Sequence, residues 1–167
     1  MATAHLLHGY LGAGKTTFAK RLERNLPAVR YSHDEWMARL YGVDPPEARF
    51  AEYRDAVFEV MNAHWPRVLA CGTDVVLDWG FWTRASRDEA RQRAQAVGAT
   101  SRLYRVECSD AVARARCRAR NRQLDGSLFI AENTYDVLRS RFQPLDPDEP
   151  FEDVNSEIPP ATIHFDV

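Results

Sequence analysis

Residues 9–16 read GYLGAGKT, and this segment constrains the fold of the chain more than any other. It matches the pattern G-x-x-x-x-G-K-[ST] at every fixed position. An apolar run at 4–8 predicts a strand before it, and a helical pattern at 16–25 predicts a helix after it. Glycines let the backbone fold closely around a phosphate group, so that successive amides and the helix N-terminus point at the anion. The alternative, a glycine-rich turn without a ligand, accounts less well for the flanking strand and helix.

The lysine of this segment stands out against the composition of the chain. Of 22 basic residues, Lys15 and Lys20 are lysines and all the others are arginines. A lysine ammonium is a compact point charge that can reach the β- and γ-phosphates of a nucleotide, where a planar guanidinium fits less well. The hydroxyl of Thr16 is suited to Mg²⁺. The residues expected to bind the nucleotide are Gly9, Gly12, Ala13, Gly14, Lys15, Thr16 and Thr17.

Length and composition predict one globular domain over 1–167. The 167 residues are 45% hydrophobic and 28% charged, and the net charge of -2 argues against a general polyanion binder. Apolar runs stay well short of the roughly 20 residues that span a bilayer, so no membrane association is expected. Residues 1–8 show no signal peptide, and the three cysteines form no CxxC pair, so we expect a cytoplasmic protein with reduced thiols and no zinc.

Short apolar runs alternate with helical patterns along the chain. We predict strands at 4–8, 28–32, 74–78, 102–107 and 162–167, and helices at 16–25, 35–41, 48–70, 86–97, 111–121 and 132–142. Ser86 and Glu89 form a capping-box pattern that would open the fourth helix. Residues 144–155 are rich in Pro, Asp and Glu and are interpreted as an exposed loop. Strands separated by helices predict an α/β fold with a parallel sheet covered on both faces.

The third predicted strand has an apolar centre and ends in Asp78. This is the Walker B pattern, whose carboxylate holds Mg²⁺ directly or through water; a simple strand-end aspartate is the alternative. In open α/β sheets the ligand crevice lies beyond the carboxyl ends of the strands. The segment after Asp78 should therefore border that crevice, and we expect Trp82 and Arg84 to contact the substrate. The alternative for the aromatic residues of this segment is a place in the core.

Five arginines alternate with small residues between 114 and 122. The alternation has the period of a strand, but alanine and arginine are strong helix formers, so we predict a helix. Arg116 and Arg120 then share one face of this helix, and Arg114, Arg118 and Arg122 share another. Two other interpretations are a solvated helix face with surface ion pairs and an RNA-binding patch, although no aromatic-rich strand accompanies it.

The order of these motifs resembles that of the P-loop kinases. The resemblance is closer to the group that includes the 5′-kinase domain of phage polynucleotide kinase, chloramphenicol phosphotransferase and zeta-toxin-like kinases, which often carry the name AAA-type ATP-binding protein. Neither an NKxD guanine motif nor an LSGGQ-like signature is present, and the chain is too short for an AAA+ module with its helical lid domain. The resemblance implies a P-loop kinase fold with a five-stranded parallel sheet in the order 2-3-1-4-5, helices on both faces and a short lid at about 121–130.

The resemblance also implies roles for individual residues. In this group an aspartate just after the second strand takes the proton of the acceptor hydroxyl, and the matching residue is Asp34. Helix capping is the other interpretation of Asp34, because Ser32 and Glu35 form a capping box. The arginine pattern of the group falls on Arg116 and Arg120, with one arginine for adenine and one for the transferring phosphoryl group. The alternative register is Arg118 with Arg122.

These observations predict an ATP- and Mg²⁺-dependent phosphotransferase that acts on a hydroxyl of a small-molecule acceptor. The expected catalytic residues are Lys15, Asp34, Arg116 and Arg120, and Asp78 would hold the metal or the acceptor. A nucleoside or polynucleotide 5′-kinase is the alternative, although Met37 stands where polynucleotide kinases carry an arginine. An ATP-binding regulator without an acceptor is an alternative of another class. The acceptor and the oligomeric state stay open.

Overall fold

A computed structural model describes residues 1–123 and 128–158. The strands are β1 (Thr3–His8), β2 (Ala28–Ser32), β3 (Asp74–Asp78), β4 (Thr100–Glu107) and β5 (Glu152–Asn155). The helices are α1 (Lys15–Asn25), α2 (His33–Tyr41), α3 (Glu47–Ala70), α4 (Arg84–Ala96), α5 (Asp110–Gln123) and α6 (Glu132–Arg139). All strand pairs are parallel, in the order β2-β3-β1-β4-β5. The predicted fold class and strand order are confirmed.

Alternate side chains of the central strands pack against helices on opposite faces of the sheet. On one face, Leu6 of β1 and Leu77 of β3 lie in a buried cluster with Trp65 of α3. On the other face, Leu7 of β1 packs in a second cluster with Phe18 of α1. Both faces are covered because each helix returns the chain to a parallel strand. Within the part of the chain that the structure describes, no helix has the length and apolar character to cross a membrane.

The last strand of the sheet departs from the sequence-based expectation. β5 lies inside the segment 144–155, so the prediction of a loop there is wrong for 152–155, and the strand predicted at 162–167 falls outside the described residues. β5 pairs with β4 at the edge of the sheet, with Val154 opposite Val106. Val154 is half-buried and the other residues of β5 are exposed. An edge strand needs little apolar character, so hydrophobic periodicity did not reveal this one.

Helix α4 begins earlier than predicted and holds the segment that leads to β5. Its N-cap is Thr83, whose side chain accepts a hydrogen bond from the Ser86 amide at 3.2 Å, so the capping box on Ser86 does not form the start of the helix. Arg87 of α4 is fully buried and donates to Glu149 at 2.6 Å and 2.8 Å. Burial alone would raise the pKa of Glu149, but the bonds from Arg87 and Arg91 lower it to about 2.

His8, the last residue of β1, makes the stability of the fold dependent on pH. Its Nδ1 donates to the carbonyl oxygen of Phe81 at 3.1 Å, and its ring stacks on Phe142 at 4.7 Å. Burial lowers the pKa of His8 to about 4. The folded state therefore binds fewer protons than the unfolded state between about pH 4 and 6.5, and stability falls as the pH falls through this window.

We expect the His8→Gln variant to lose less stability on acidification than the parent protein. Between pH 7 and pH 5 the difference in the free energy of unfolding should be about 2 kcal/mol, because glutamine does not titrate. Urea unfolding of both proteins at the two pH values measures it. The buried His5 titrates in both proteins, so its contribution cancels. Two parallel stability curves would contradict the assignment of this pH dependence to His8.

Candidate active site

The phosphate loop connects β1 to α1 and has a backbone that glycine alone accommodates at two points. Gly12 and Gly14 have φ angles of 75° and 97°, in the left-handed region. A Cβ atom at Gly12 would lie 2.3 Å from the carbonyl oxygen of Ala113 in α5. Gly14 is the N-cap of α1 and has no side chain that could accept a hydrogen bond from the first amides of the helix. The first amides of α1 are therefore available to an anion, as the loop motif predicts.

Lys15 folds back over this loop. Its Nζ donates to the carbonyl oxygen of Tyr10 at 2.8 Å. Burial lowers the pKa of Lys15, while the carboxylates of Asp78 and Asp34 act to raise it and Arg120 acts to lower it. Asp78 is the last residue of β3, Asp34 lies in the first turn of α2 just after β2, and Arg120 is on α5. The fold thus brings four of the predicted site residues into one electrostatic environment at the carboxyl edge of the sheet.

Thr16 and Asp78 form the side of the site that is suited to a metal ion. The hydroxyl of Thr16 donates to Oδ1 of the buried Asp78 at 3.3 Å. A hydroxyl and a carboxylate are hard oxygen donors of the kind that Mg²⁺ prefers. Among the described residues there is no group of three or more His, Cys, Asp or Glu side chains that could hold a metal. When Mg²⁺ is bound together with a nucleotide, phosphate oxygens and water usually supply its other ligands.

Asp34 lies in the first turn of α2, with its side chain 55% exposed. Partial burial acts to raise its pKa, but the hydrogen bond from His33 and the charges of His33, Lys15 and Arg120 hold the pKa below the usual value. Asp34 is therefore a carboxylate at neutral pH. The capping box of Ser32 and Glu35 does not form, because Ser32 makes no side-chain cap bond and Glu35 binds Arg30 instead.

Arg116 and Arg120 are on α5, as predicted, but have different surroundings. Arg116 donates from Nη1 to Oγ of Ser156 at 2.7 Å and from Nη2 to its carbonyl oxygen at 3.0 Å. In Arg120, Nε and Nη2 are buried and have no hydrogen-bond partner among the described residues. Unsatisfied guanidinium donors in a buried place are costly unless an acceptor binds there, and phosphate oxygens are strong acceptors for arginine. Arg118 and Arg122, the alternative register, are exposed.

The structure gives Trp82 and Arg84 contacts within the protein. Trp82 Nε1 donates to the carbonyl oxygen of Gly9 at 3.0 Å, and the amide of Gly9 donates to Gly80 at 3.4 Å. The β3–α4 connection thus holds the first glycine of the phosphate loop. Arg84 bonds Asp88 at 2.8 Å and two aspartates of the segment before β5 at 2.9 Å and 3.1 Å. Contact of either residue with a substrate stays a prediction.

The predicted lid at 121–130 lies partly outside the described residues. At its base, the side chain of Asn121 bonds both backbone groups of Ile130, at 2.6 Å and 3.1 Å. Within the same segment, the amide of Phe129 donates to the carbonyl oxygen of Val43 at 2.9 Å, in the connection between α2 and α3. The described end of the predicted lid therefore contacts the α2–α3 connection.

Sequence reasoning missed two residues of the site. Arg30 of β2 donates to Oδ2 of Asp78 at 3.0 Å, and Oγ of Ser156 donates to the carbonyl oxygen of Ala13 in the phosphate loop at 2.6 Å. A charged residue inside a strand of a parallel sheet was a usable signal for Arg30, because such strands are mostly apolar. For Ser156 there was no signal, because its position depends on β5.

Comparison with solved structures places the fold among the P-loop kinases. Kti12 from Chaetomium thermophilum, solved with ADP-AlF3, has a TM-score of 0.72 at 20% identity, and the match covers 92% of this chain and 89% of that one. A sugar kinase from Janibacter has a TM-score of 0.65 at 16% identity, covering 95% and 88%. A chain of the Pnkp1/Rnl/Hen1 RNA repair complex has a TM-score of 0.69 at 19% identity, covering 84% of this chain and 43% of that one.

The sequence itself matches a family with a phosphate loop. No curated protein matches the chain at a significant level. The AAA domain family, in contrast, matches residues 5–145, which include most of β1, the phosphate loop, both site carboxylates and all of α5. The match covers most of the chain and contains the phosphate loop, Asp34, Asp78 and both site arginines, so the chain belongs to the AAA domain family, with the fold of a P-loop kinase.

Proposed function

We propose that this protein is a kinase that transfers the γ-phosphoryl group of ATP, with Mg²⁺, to a hydroxyl of a small-molecule acceptor. The observation that carries the proposal is the convergence of Lys15, Asp34, Asp78 and Arg120 beside the phosphate loop, where Nε and Nη2 of Arg120 have no partner within the described part of the chain. A protein that only binds a nucleotide needs no more than the phosphate loop and its lysine. An ionised carboxylate that can accept a proton, and an arginine with two donors that have no partner among the described residues, both have a direct use in phosphoryl transfer.

Each residue has a role that follows from its position. The amides of the phosphate loop and Lys15 bind the β- and γ-phosphates, and Thr16 with Asp78 would hold Mg²⁺. Asp34 accepts the proton of the acceptor hydroxyl as its oxygen bonds to the γ-phosphorus and the bond from that phosphorus to the β,γ-bridging oxygen breaks, which leaves ADP. Arg120 donates to the transferring group, where negative charge must be stabilised. Mg²⁺, when bound, neutralises charge on the β- and γ-phosphates.

Arg116 is assigned to the nucleotide side of the site. It donates to Gly12 at 3.4 Å and binds Ser156, and both contacts lie along the phosphate loop. Electrostatic interaction links Arg120, by contrast, to Lys15 and Asp34. The two arginines are four residues apart on one helix, which allows one to serve the nucleotide and the other the transferred phosphoryl group.

The surroundings of Asp34 favour an uncharged acceptor with an apolar face. His33 stacks on Phe58 at 4.0 Å, Phe58 meets Trp79 edge-on at 5.5 Å, and Trp79 stacks on Phe81 at 5.0 Å. This row of rings runs from the neighbour of Asp34 to the neighbour of Asp78. His33 and Phe81 are buried, so the half-buried rings of Phe58 and Trp79 are the ones on which planar or apolar groups could pack.

A polynucleotide 5′-end is the second candidate acceptor, and the fold shared with a chain of an RNA repair complex is its support. Met37 argues against it. Polynucleotide kinases carry an arginine at this position, and Met37 is wholly buried in the apolar cluster on the α3 side of the sheet. It cannot replace that arginine as a ligand for a backbone phosphate.

Product analysis tests the proposal. Purified protein is incubated with ATP labelled on the γ-phosphate, Mg²⁺ and panels of sugars, hydroxylated aromatic compounds, nucleosides and oligonucleotides with a free 5′-hydroxyl. We expect a phosphorylated product from a small molecule, and none from Lys15→Ala. Phosphorylated oligonucleotides would favour the second candidate, and nucleotide binding without any labelled acceptor would favour a regulatory protein.

ATP with Mg²⁺ is expected to stabilise the protein by mass action. At about a hundredfold excess over the dissociation constant the gain is about 2.7 kcal/mol in the free energy of unfolding. GTP should stabilise less, because the chain has no guanine motif. Thermal unfolding with each nucleotide measures the difference, and Lys15→Ala is the control for binding at the phosphate loop. Equal shifts with ATP and GTP would contradict the preference for adenine.

A further inference from the structure

The guanidinium of Arg30 joins four elements around the metal side of the site. Arg30 lies in the middle of β2 with its side chain only 10% exposed. Its Nη1 donates to Oδ2 of Asp78 at 3.0 Å, its Nε to Glu23 of α1 at 3.0 Å, and its Nη2 to Glu35 of α2 at 2.8 Å. Three carboxylates thus share one cation, and the carboxylate of β3 is the buried one, with 2% of its side chain exposed.

This arrangement occupies both oxygens of Asp78. Oδ1 accepts the hydroxyl of Thr16 at 3.3 Å, and Oδ2 accepts Arg30. When the hydroxyl proton of Thr16 points at Asp78, the lone pairs of its oxygen are directed away from that carboxylate, towards the phosphate loop. A cation within 3.0 Å of Oδ2 also opposes direct coordination of a divalent metal by the same oxygen.

We propose that Arg30 is a positioning residue that fixes Asp78 as a hydrogen-bond acceptor for Thr16 and restrains it from binding the metal ion directly. The proposal rests on the proposed function, since it concerns the Mg²⁺ that accompanies the nucleotide. Asp78 then acts on the metal through the Thr16 hydroxyl and through water. The positive charge of Arg30 makes the site bind a divalent cation less tightly than Thr16 and Asp78 alone would.

Glu23 and Glu35 adjust this effect. Their carboxylates are about 40% exposed and take up two of the donors of Arg30. They reduce the net positive charge that Asp78 experiences, so removal of either charge should strengthen the hold of Arg30 on Asp78. Glu35 directly follows Asp34, so the same guanidinium also links the turn that carries the proposed base to the metal side of the site.

Divalent-cation binding tests this proposal without any acceptor. Free Mn²⁺ is followed by electron paramagnetic resonance in solutions of MnCl₂, a non-hydrolysable ATP analogue and an excess of protein. We expect Arg30→Met to bind Mn²⁺ at least about threefold more tightly than the parent protein, because a nearby positive charge is lost and Oδ2 is freed. Glu35→Gln should show the opposite shift, with about twofold or greater weakening.

A matched control is Arg105→Met. Arg105 is also a strand arginine bound to carboxylates, to Asp153 at 2.6 Å and Glu107 at 3.6 Å, but it lies on β4, away from Asp78. Its Mn²⁺ affinity should equal that of the parent protein. A merely structural role of Arg30 would lower the melting temperature of Arg30→Met and leave Mn²⁺ affinity unchanged.

Several outcomes would overturn the proposal. They are unchanged or weaker Mn²⁺ binding by Arg30→Met, and a shift of Glu35→Gln in the direction of tighter binding. If Arg30→Met does not fold, the sign of the Glu35→Gln shift decides. A parent protein that binds no ATP analogue would remove the proposed function and this inference together, whereas normal analogue binding with equal Mn²⁺ affinity in all variants would remove the inference alone.

Discussion

Lys15→Ala is expected to lose phosphoryl transfer, with turnover lower by at least about 10³-fold. Lys15 is the one lysine of the phosphate loop, and its Nζ donates to the carbonyl oxygen of Tyr10 across the loop. This places the ammonium group where the β- and γ-phosphates would bind. Lys15→Arg should also lose most of the activity, because a planar guanidinium does not reproduce a compact ammonium inside the closed loop. Turnover of the identified acceptor and a melting curve for each variant measure the effect.

Lys20→Ala is the matched control, since Lys20 is the only other lysine of the chain. It is half exposed on α1 and forms a surface pair with Glu35 at 3.4 Å, so its loss should leave turnover close to that of the parent protein. Near-normal turnover in Lys15→Arg would contradict the argument from point-charge geometry. In that case a general requirement for a positive charge at this position would explain the contribution of Lys15 to turnover.

Asp34→Asn is expected to separate binding from chemistry. Loss of a general base lowers the rate by roughly 10²- to 10⁴-fold. Asparagine keeps the size of the side chain and its preference for helix N-termini, so the fold and the affinity for ATP should stay intact. Calorimetric titration with ATP, a melting curve and an assay with the identified acceptor are needed together. Because the pKa of Asp34 is lowered, the parent enzyme should keep its base ionised throughout the neutral range.

Asp44→Asn is a suitable control for this substitution, because Asp44 is an exposed aspartate just after α2. It should behave as the parent protein in all three measurements. A fall in turnover of the Asp34 variant well short of about 10²-fold, with the fold intact, would leave Asp34 without a role as base. Asp78 would then be the next candidate for that role.

The central part of the fold could be predicted from the sequence because its signals are local. The phosphate loop is a contiguous motif, and β1 to β4 are apolar runs separated by helical patterns, so the α/β fold followed from them. The strand order came from the resemblance to P-loop kinases. β5 has one half-buried side chain, which is too little for a periodicity to register. The start of α4 was misplaced because two adjacent segments, at Thr83 and Ser86, both carry residues typical of a cap.

The candidate site could be predicted only for residues that lie in a recognisable local sequence pattern. Asp78 ends an apolar strand and Lys15 lies in a motif, so both could be named in advance, and Asp34, just after β2, was named through the resemblance to P-loop kinases. The contacts of Arg116 could not be predicted, because they depend on Ser156, which is far away along the chain and reaches the loop through β5. The link from Arg30 to Asp78 likewise depends on the register of β2 against β3, in which Ser32 is opposite Asp78.

The contact of Ser156 with the phosphate loop determines how far the protein can be truncated at its C-terminal end. The family match ends at residue 145, yet the hydroxyl of Ser156 bonds the loop at Ala13, and Arg116 is held in place by the same residue. A fragment that stops at the family boundary would keep the whole glycine motif but lose the support behind it. We therefore expect that expression of an intact nucleotide site needs at least residues 1–156.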